Sequence, residues 1–291
     1  MLAVTPLDPP FAAAVAGLDL RAPLDAAAHD ALAAAMARYG VLVLRGQFID
    51  DAQHMAFSAR LGPLERSREA DRPNHRMRLG NEYMIDVSNV GLDGRALPRD
   101  DFRRVSAIAN RLWHVDSSYK DYPATWSLLS ARSVPAAGGD TEFADCAAAY
   151  EALDDAMKAR IAPLEGVHSI ATGRAALGFT DFTPEERAAL PPKRHPLVRT
   201  LADGRRSLFI GAHVGEIVGL PIAEARILLA DLTEHATQRR FVHAHRWRDG
   251  DLVMWDNRRT MHRGRAYDMD LPRDIRRTTL SDRDYGPSPV A

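Results

Sequence analysis

The chain has 291 residues, 46% of them hydrophobic and 26% charged, and a formal net charge of −1. Such a length buries a substantial core as one large domain or two small ones, and the composition is that of a soluble globular protein. The balanced charge gives no reason to expect nucleic acid or an anionic membrane as a partner. No stretch approaches the ~20 apolar residues that cross a bilayer. Residues 1–20 lack the basic start of a signal peptide and carry Asp8-Pro9-Pro10. A lone cysteine, Cys146, excludes an internal disulfide and fits a reducing cytoplasm.

In chain order, residues 15–20 read as a short strand and the alanine-rich residues 24–39 as a helix stopped by Gly40 at its C′ position. Residues 41–46 form a continuous apolar run, the pattern of a strand buried on both faces. A second helix is expected over residues 50–61, capped by Asp50 or Asp51 and stopped by Gly62-Pro63. Residues 65–104 then turn basic and lose periodicity apart from a strand-like run at 84–90, and this segment is read as a lid or substrate-entry loop for an anionic substrate. Beyond it come a strand at 126–132, a Gly turn at 135–139, the segment 140–145, and a helix over 147–161. The mixed region 166–194 includes a short capped helix expected from Thr183. Short strands at 197–200 and 207–212 are joined by a turn at 202–204, and an amphipathic helix occupies 221–236. Residues 241–247 and 252–255 are expected to form a hairpin about Asp249-Gly250, and residues 275–280 a final strand.

Many short strands joined by Gly turns, with few helices among them late in the chain, predict a mainly β jelly roll with helical additions rather than a doubly wound parallel sheet. No Gly-rich dinucleotide or phosphate loop and no nucleophile elbow is present. One domain over residues 1–291 is expected, with the lid-like segment at about 65–104.

The chemistry gathers at Trp113-His114-Val115-Asp116-Ser117-Ser118. On an extended backbone an imidazole and a carboxylate two residues apart face the same side, and Asn110 and Leu112 share their parity. His-x-Asp is a weak signal by itself, since with 11 histidines about one such tripeptide arises by chance. His262, in Met261-His262-Arg263-Gly264, is the best candidate for a third ligand. Two histidines and one carboxylate with an open face suit a non-haem Fe(II) site that handles oxygen. Among the other histidines, His243 and His245 alternate on a strand far from any carboxylate motif and are read as core or surface groups. His235 lies near a helix C-terminus, where the dipole favours an imidazolium.

His114-Val115-Asp116, Gly138-Gly-Asp-Thr-Glu-Phe143, Trp255-Asp-Asn257, His262 and Pro272-Arg273-Asp-Ile-Arg-Arg277 stand in one order. Together they resemble the taurine dioxygenase / dichlorophenoxyacetate dioxygenase family of Fe(II)- and 2-oxoglutarate-dependent oxygenases. The likeness runs from about Val15 to Thr279 and is nearer the phenoxyacetate branch, through Leu208-Phe-Ile-Gly-Ala-His213, Gly250-Asp-Leu-Val-Met-Trp-Asp-Asn-Arg258 and His262-Arg-Gly-Arg265. The resemblance implies a double-stranded β-helix with His114, Asp116 and His262 as iron ligands. It assigns Thr141, Arg273 and Asn110 to 2-oxoglutarate, and Arg277 and His213 to the substrate. It also implies O2 as co-reactant and a homo-oligomer. A guanidinium holds a carboxylate with two parallel hydrogen bonds, and along an extended last strand Arg273, Ile275 and Arg277 share a face while Arg276 points away. The implied reaction hydroxylates a small anionic aryloxyalkanoate, giving a phenol and a 2-oxo acid with succinate and CO2. A taurine-type alkylsulfonate is the rival substrate. A Zn(II) hydrolase or a non-catalytic cupin module would use the same three ligands but would leave Thr141, Arg273 and the Arg277 spacing unexplained.

Overall fold

The computed structural model describes residues 2–67, 77–179, 183, 188 and 190–281. Past Thr183 itself the expected short helix lies outside the described residues, as do Arg68, Arg72 and Arg76.

Seven strands form the larger sheet, in the spatial order β1 (Ala3–Pro6), β2 (Ala12–Ala16), β3 (Val41–Leu44), β13 (Leu252–Asp256), β5 (Ala124–Ser133), β15 (Asp274–Ser281) and β4 (Ile85–Asp86). A three-stranded sheet, β12 (Val242–His245), β6 (Thr141–Asp145) and β14 (Thr260–Gly264), packs over one face. Val43, Leu129, Trp255 and Ile275 meet Phe143 and Trp247 in the core between the two sheets. The smaller sheets are β11 (Val214–Ile217), β7 (Glu165–His168), β8 (Lys193–Pro196) and the pair β9 (Val198–Thr200), β10 (Arg206–Leu208). This is the expected jelly roll.

Helices cover the other face of the large sheet. α1 (Ala26–Tyr39) begins where the Asp25 carboxylate accepts the Ala28 N–H, and it ends at Gly40, whose φ of 73° is left-handed. α2 (Asp51–Leu61) starts from a capping box between Asp50 and Gln53. Leu32 and Met36 from α1 and Phe57 from α2 pack on Leu42, Leu44, Leu128 and Met254. Every residue of β3 is consequently buried, as its unbroken apolar run predicts. The remaining helices are α3 (Phe102–Ser106), α4 (Cys146–Glu151), α5 (Asp155–Ile161), α6 (Ile170–Ala175) and α7 (Ile222–Ala236).

Three expectations are corrected. The helix over 147–161 is two helices, because the Asp154 carboxylate accepts the Met157 N–H and starts a second one. Residues 241–247 and 252–255 make no hairpin: β12 pairs with β6 in one sheet, while β13 pairs with β3 and β5 in the other. A jelly roll sends successive strands to opposite sheets, so a tight turn between two apolar runs need not pair them. The run at 84–90 contributes only Ile85–Asp86 to a ladder, at the sheet edge.

Asp145 and Arg259 fasten the end of β6 to the start of β14. Arg259 Nη2 lies 2.6 Å from Asp145 Oδ2 and Nε 3.1 Å from Oδ1, with both side chains buried. Asp145→Ala should strand the Arg259 charge and cost roughly 3–5 kcal/mol. Asp25→Ala, an exposed cap, should cost about 1 kcal/mol; urea unfolding of the two variants checks both the order and the gap.

Candidate metal centre

His262 lies in β14, and His114 reaches it across a single antiparallel bridge. The two residues exchange both backbone hydrogen bonds, His114 N–H to His262 O at 3.0 Å and His262 N–H to His114 O at 2.9 Å. Their rings stand 4.2 Å apart. Asp116 follows at the start of a turn, and donor atoms of His114, Asp116 and His262 all fall within 4.8 Å of one another, every side chain buried. The three predicted ligands are together.

The backbone that brings them together is not the extended run expected. Residues Ala107–Arg111 form a 3-10 turn, and extension is confined to the bridge at His114. Immediately after Asp116, Ser117 takes a left-handed φ of 52°, which turns the chain away from the site. The Glu65 carboxylate holds that turn through Ser117 Oγ at 2.6 Å and Lys120 Nζ at 2.7 Å. Nothing in the sequence marked Glu65. Trp113 packs against the neighbouring core, with the Arg263 guanidinium 4.5 Å over its ring.

Each ligand is oriented from behind. His114 Nδ1 is 2.7 Å from the Leu112 carbonyl, which only accepts, so Nδ1 carries the proton and Nε2 keeps its lone pair. The His262 ring lies between Phe143 and Trp255 at 6.1 and 4.7 Å. Asp116 Oδ2 accepts from Ser127 Oγ at 2.7 Å and sits 3.8 Å from His262 Nε2; Oδ1 accepts from Arg277 at 2.5 Å. Asn257 joins this set, donating to Ser127 Oγ at 2.9 Å and accepting from Trp255 Nε1 at 3.0 Å. Burial opposes the charge on Asp116, but the Arg277 guanidinium and the Ser127 hydroxyl favour the carboxylate and hold the carboxyl well below its usual range. Burial above all pushes both histidines down, so they are neutral.

Two cavities meet at this trio, with His114, Asn110 and Arg277 lining both. The smaller, about 70 Å³, is walled by Thr141, Arg273, Tyr267 and His262. Arg273 is buried, gives Nη2 to the Gly139 carbonyl at 3.1 Å and lies 5.3 Å over the Tyr267 ring. Its Nε has no partner, and among the described residues no carboxylate pairs with it. A Cβ on Gly139, whose φ is +73°, would stand 3.2 Å from that Nε, so glycine keeps the guanidinium's place open. Asn110 is exposed at the mouth.

The larger cavity, about 630 Å³, is lined by His114, Asp116, Arg277 and His213, by apolar side chains such as Met84, Val90 and Leu112, and by charged ones including Arg78, Lys120 and Arg174. His213 Nδ1 lies 3.1 Å from Ser118 Oγ, and its ring is 5.0 Å from Tyr119; burial pushes its pKa down to about 3. The described part of residues 65–104 contributes much of this wall. Arg78 pins it to the last strand, with contacts to Asp86 at 2.6 Å and Asp274 at 2.9 Å. Arg276 points away, as its parity predicts, to Asp51 and Asp274. Other histidines lie elsewhere: His243 contacts the Asp8 carbonyl and His245 the Asp251 carboxylate. His235 is tied to the Ala149 carbonyl at 2.8 Å, a specific tether where a helix-end dipole was expected.

The chemistry of these donors fits a ferrous ion with 2-oxoglutarate. Two neutral imidazoles and a monoanionic carboxylate leave half a coordination sphere free. A buried Arg273 without a counter-charge calls for a carboxylate in the small cavity, since an unpaired buried cation is costly.

Comparison with known proteins gives the same picture. The model of the "Taurine catabolism dioxygenase TauD, TfdA family" matches residues 3–279. The chain is similar to the alpha-ketoglutarate-dependent 2,4-dichlorophenoxyacetate dioxygenase of Cupriavidus pinatubonensis, with 47% identity over 95% of this chain and 96% of the relative. It is 35% identical to the (S)-phenoxypropionate/alpha-ketoglutarate-dioxygenase of Delftia acidovorans, over 97% and 96%. Among solved structures, AAD-2 in complex with Mn(II) and N-oxalylglycine aligns over 100% of both chains, with a TM-score of 0.91 and 43% identity.

Ser127 bonds both Asp116 and Asn257, so Ser127→Ala should loosen the carboxylate and weaken Mn(II) binding about tenfold or more. Mn(II) titration followed by electron paramagnetic resonance reads this directly; an unchanged affinity would remove Ser127 from the support of the site.

Proposed function

Because the chain belongs to the TauD/TfdA dioxygenase family, we propose that it is an Fe(II)- and 2-oxoglutarate-dependent dioxygenase hydroxylating an aryloxyalkanoate of the phenoxyacetate type. The reading is carried by one observation: three buried metal donors at the junction of a small cavity ending on an unpaired arginine and a larger one holding a second arginine. His114, Asp116 and His262 are the residues that would hold the iron. When bound, the ferrous ion and 2-oxoglutarate supply the activation of O2 and the oxidation of an unactivated C–H bond, with succinate and CO2 released.

The protein's own part is binding and exclusion. Arg273 and Thr141 hold the far carboxylate of the cosubstrate, and Asn110 closes the mouth beside it. Arg277 uses one N–H on Asp116, and its buried Nε has no partner, so the guanidinium keeps donors for a substrate carboxylate next to the metal. His213, neutral and half-buried, offers a second polar contact on the same side. An acid group anchored there presents the adjacent carbon to the metal, while the apolar walls receive the aromatic ring. Hydroxylation beside the ether oxygen yields a hemiacetal that separates into a phenol and a 2-oxo acid.

The described part of residues 65–104 walls the larger cavity and is read as its lid, within one catalytic unit. A sulfonate would satisfy Arg277 equally, so the anion does not choose between aryloxyalkanoate and alkylsulfonate. The apolar walls and the similarity to phenoxyalkanoate dioxygenases favour the first. A cytoplasmic homo-oligomer without nucleic-acid or membrane partners is the setting supported by the balanced charge, the lone buried thiol and the family.

Succinate and phenol release should both appear when the Fe(II)-loaded protein receives 2-oxoglutarate, ascorbate and phenoxyacetates. Release with alkylsulfonates alone would move the substrate assignment, and no substrate-dependent succinate with either class would sink the proposal. His114→Ala and His262→Ala should abolish turnover with every substrate. Arg277→Ala should raise the KM for phenoxyacetate roughly 10- to 100-fold, as expected for losing a charged hydrogen-bond donor, with the affinity for 2-oxoglutarate nearly unchanged. Equal loss of both affinities would reject the division of labour between the two arginines.

A further inference from the structure

Behind Thr141 lies a buried polar chain that the proposed reaction does not use. Trp247 Nε1 stands 2.9 Å from Thr141 Oγ1, and both side chains are buried. The His245 ring meets the Trp247 ring edge-on at 4.5 Å, and His245 Nε2 is 3.1 Å from Asp251 Oδ2. Arg45 in turn bonds Asp251. His245 and Thr141 are also register partners across the β12–β6 ladder, which fixes the rings beside the hydroxyl.

The direction of the Trp247–Thr141 bond is not open to choice. An indole N–H only donates, so the Thr141 oxygen accepts it, and the single hydroxyl proton stays available for a different acceptor. That hydroxyl and Arg273 line the same small cavity. Arg273 also can only donate. The Thr141 hydroxyl proton and the Arg273 guanidinium therefore stand as two donors on one cavity, and a chain of hydrogen bonds running in one sense strengthens each member. A carboxylate satisfies the two donors with its two oxygens, whereas a 2-oxo acid without a second carboxylate leaves both unmet.

We propose that Trp247 is a positioning residue for the cosubstrate: its N–H occupies one lone pair of Thr141 and leaves the hydroxyl proton to the cavity, which with Arg273 favours a 2-oxo acid that ends in a carboxylate. This rests on the assignment of the small cavity to 2-oxoglutarate. It adds that the preference for a carboxylate terminus depends on a residue that does not touch the cosubstrate.

Trp247→Phe keeps a ring against His245 and removes the N–H. The Mn(II)-loaded protein is titrated without oxygen against 2-oxoglutarate, and against 2-oxobutyrate, which lacks the second carboxylate. Trp247→Phe should weaken 2-oxoglutarate binding roughly three- to tenfold, the effect of one hydrogen bond, and leave 2-oxobutyrate binding and the KM for phenoxyacetate unchanged. Thr141→Val should show the same selectivity, and combining the two substitutions should weaken 2-oxoglutarate binding no further than Thr141→Val alone, because Trp247 acts through Thr141. Equal weakening of both oxo acids would make Trp247 merely structural, and no weakening of either would also overturn the proposal. Failure of the unaltered protein to bind 2-oxoglutarate would instead remove the cavity assignment, and this inference with it.

Discussion

The site depends on one short contact between distant segments, the paired backbone bonds of His114 and His262. Each histidine gives its N–H to the other's carbonyl, so the two imidazoles are brought side by side before any metal contributes. Neutral rings tolerate this closeness; two imidazolium ions would not. Burial keeps both uncharged, and the carboxylate between them carries the charge. That charge is matched by Arg277, and the hydroxyl of Ser127 fixes the carboxylate's other oxygen. A preformed set of donors loses little freedom on taking up a divalent ion, which favours tight and geometrically defined binding.

The last strand shows how one sequence segment serves two solvents. Arg273 and Arg277 face the cavities, while Arg276 between them reaches Asp51 at the start of α2 and Asp274 beside it. Arg78, from the segment that walls the larger cavity, also grips Asp274. Arg277 on this strand and Arg273 just before it are thus held by charge pairs that are themselves partly buried. Shifting the strand by one residue would turn Arg276 inward and Arg277 outward. The ion pairs oppose that slip, which gives them a role in register even where their net contribution to stability is small.

How much of this could be read in the sequence follows from the range of the interactions. α1, α2, β3 and α7 are announced by caps, periodicity or an unbroken apolar run, all local signals. That His114, Asp116 and His262 cluster, and that Thr141 and Arg273 line one cavity beside them, was legible because these residue types have narrow chemical uses and occur in a specific order. Ser127, Glu65 and Trp247 were not, since a serine in a strand or a tryptophan in a core has many ordinary reasons to be there. The expected hairpin at 241–255 failed for a related cause: local pattern marks strands and turns, but the sheet that each strand joins is decided by the whole topology.

The two cavities differ in what they offer a ligand. The small one holds the Thr141 hydroxyl and a fixed Arg273 that has no internal carboxylate partner among the described residues. The larger one shares Arg277 with it and sets apolar walls such as Met84 and Val90 beside charged groups, Arg78, Lys120 and Arg174 among them. The two cavities share Arg277 and His114, so whatever occupies one borders the other at the metal donors.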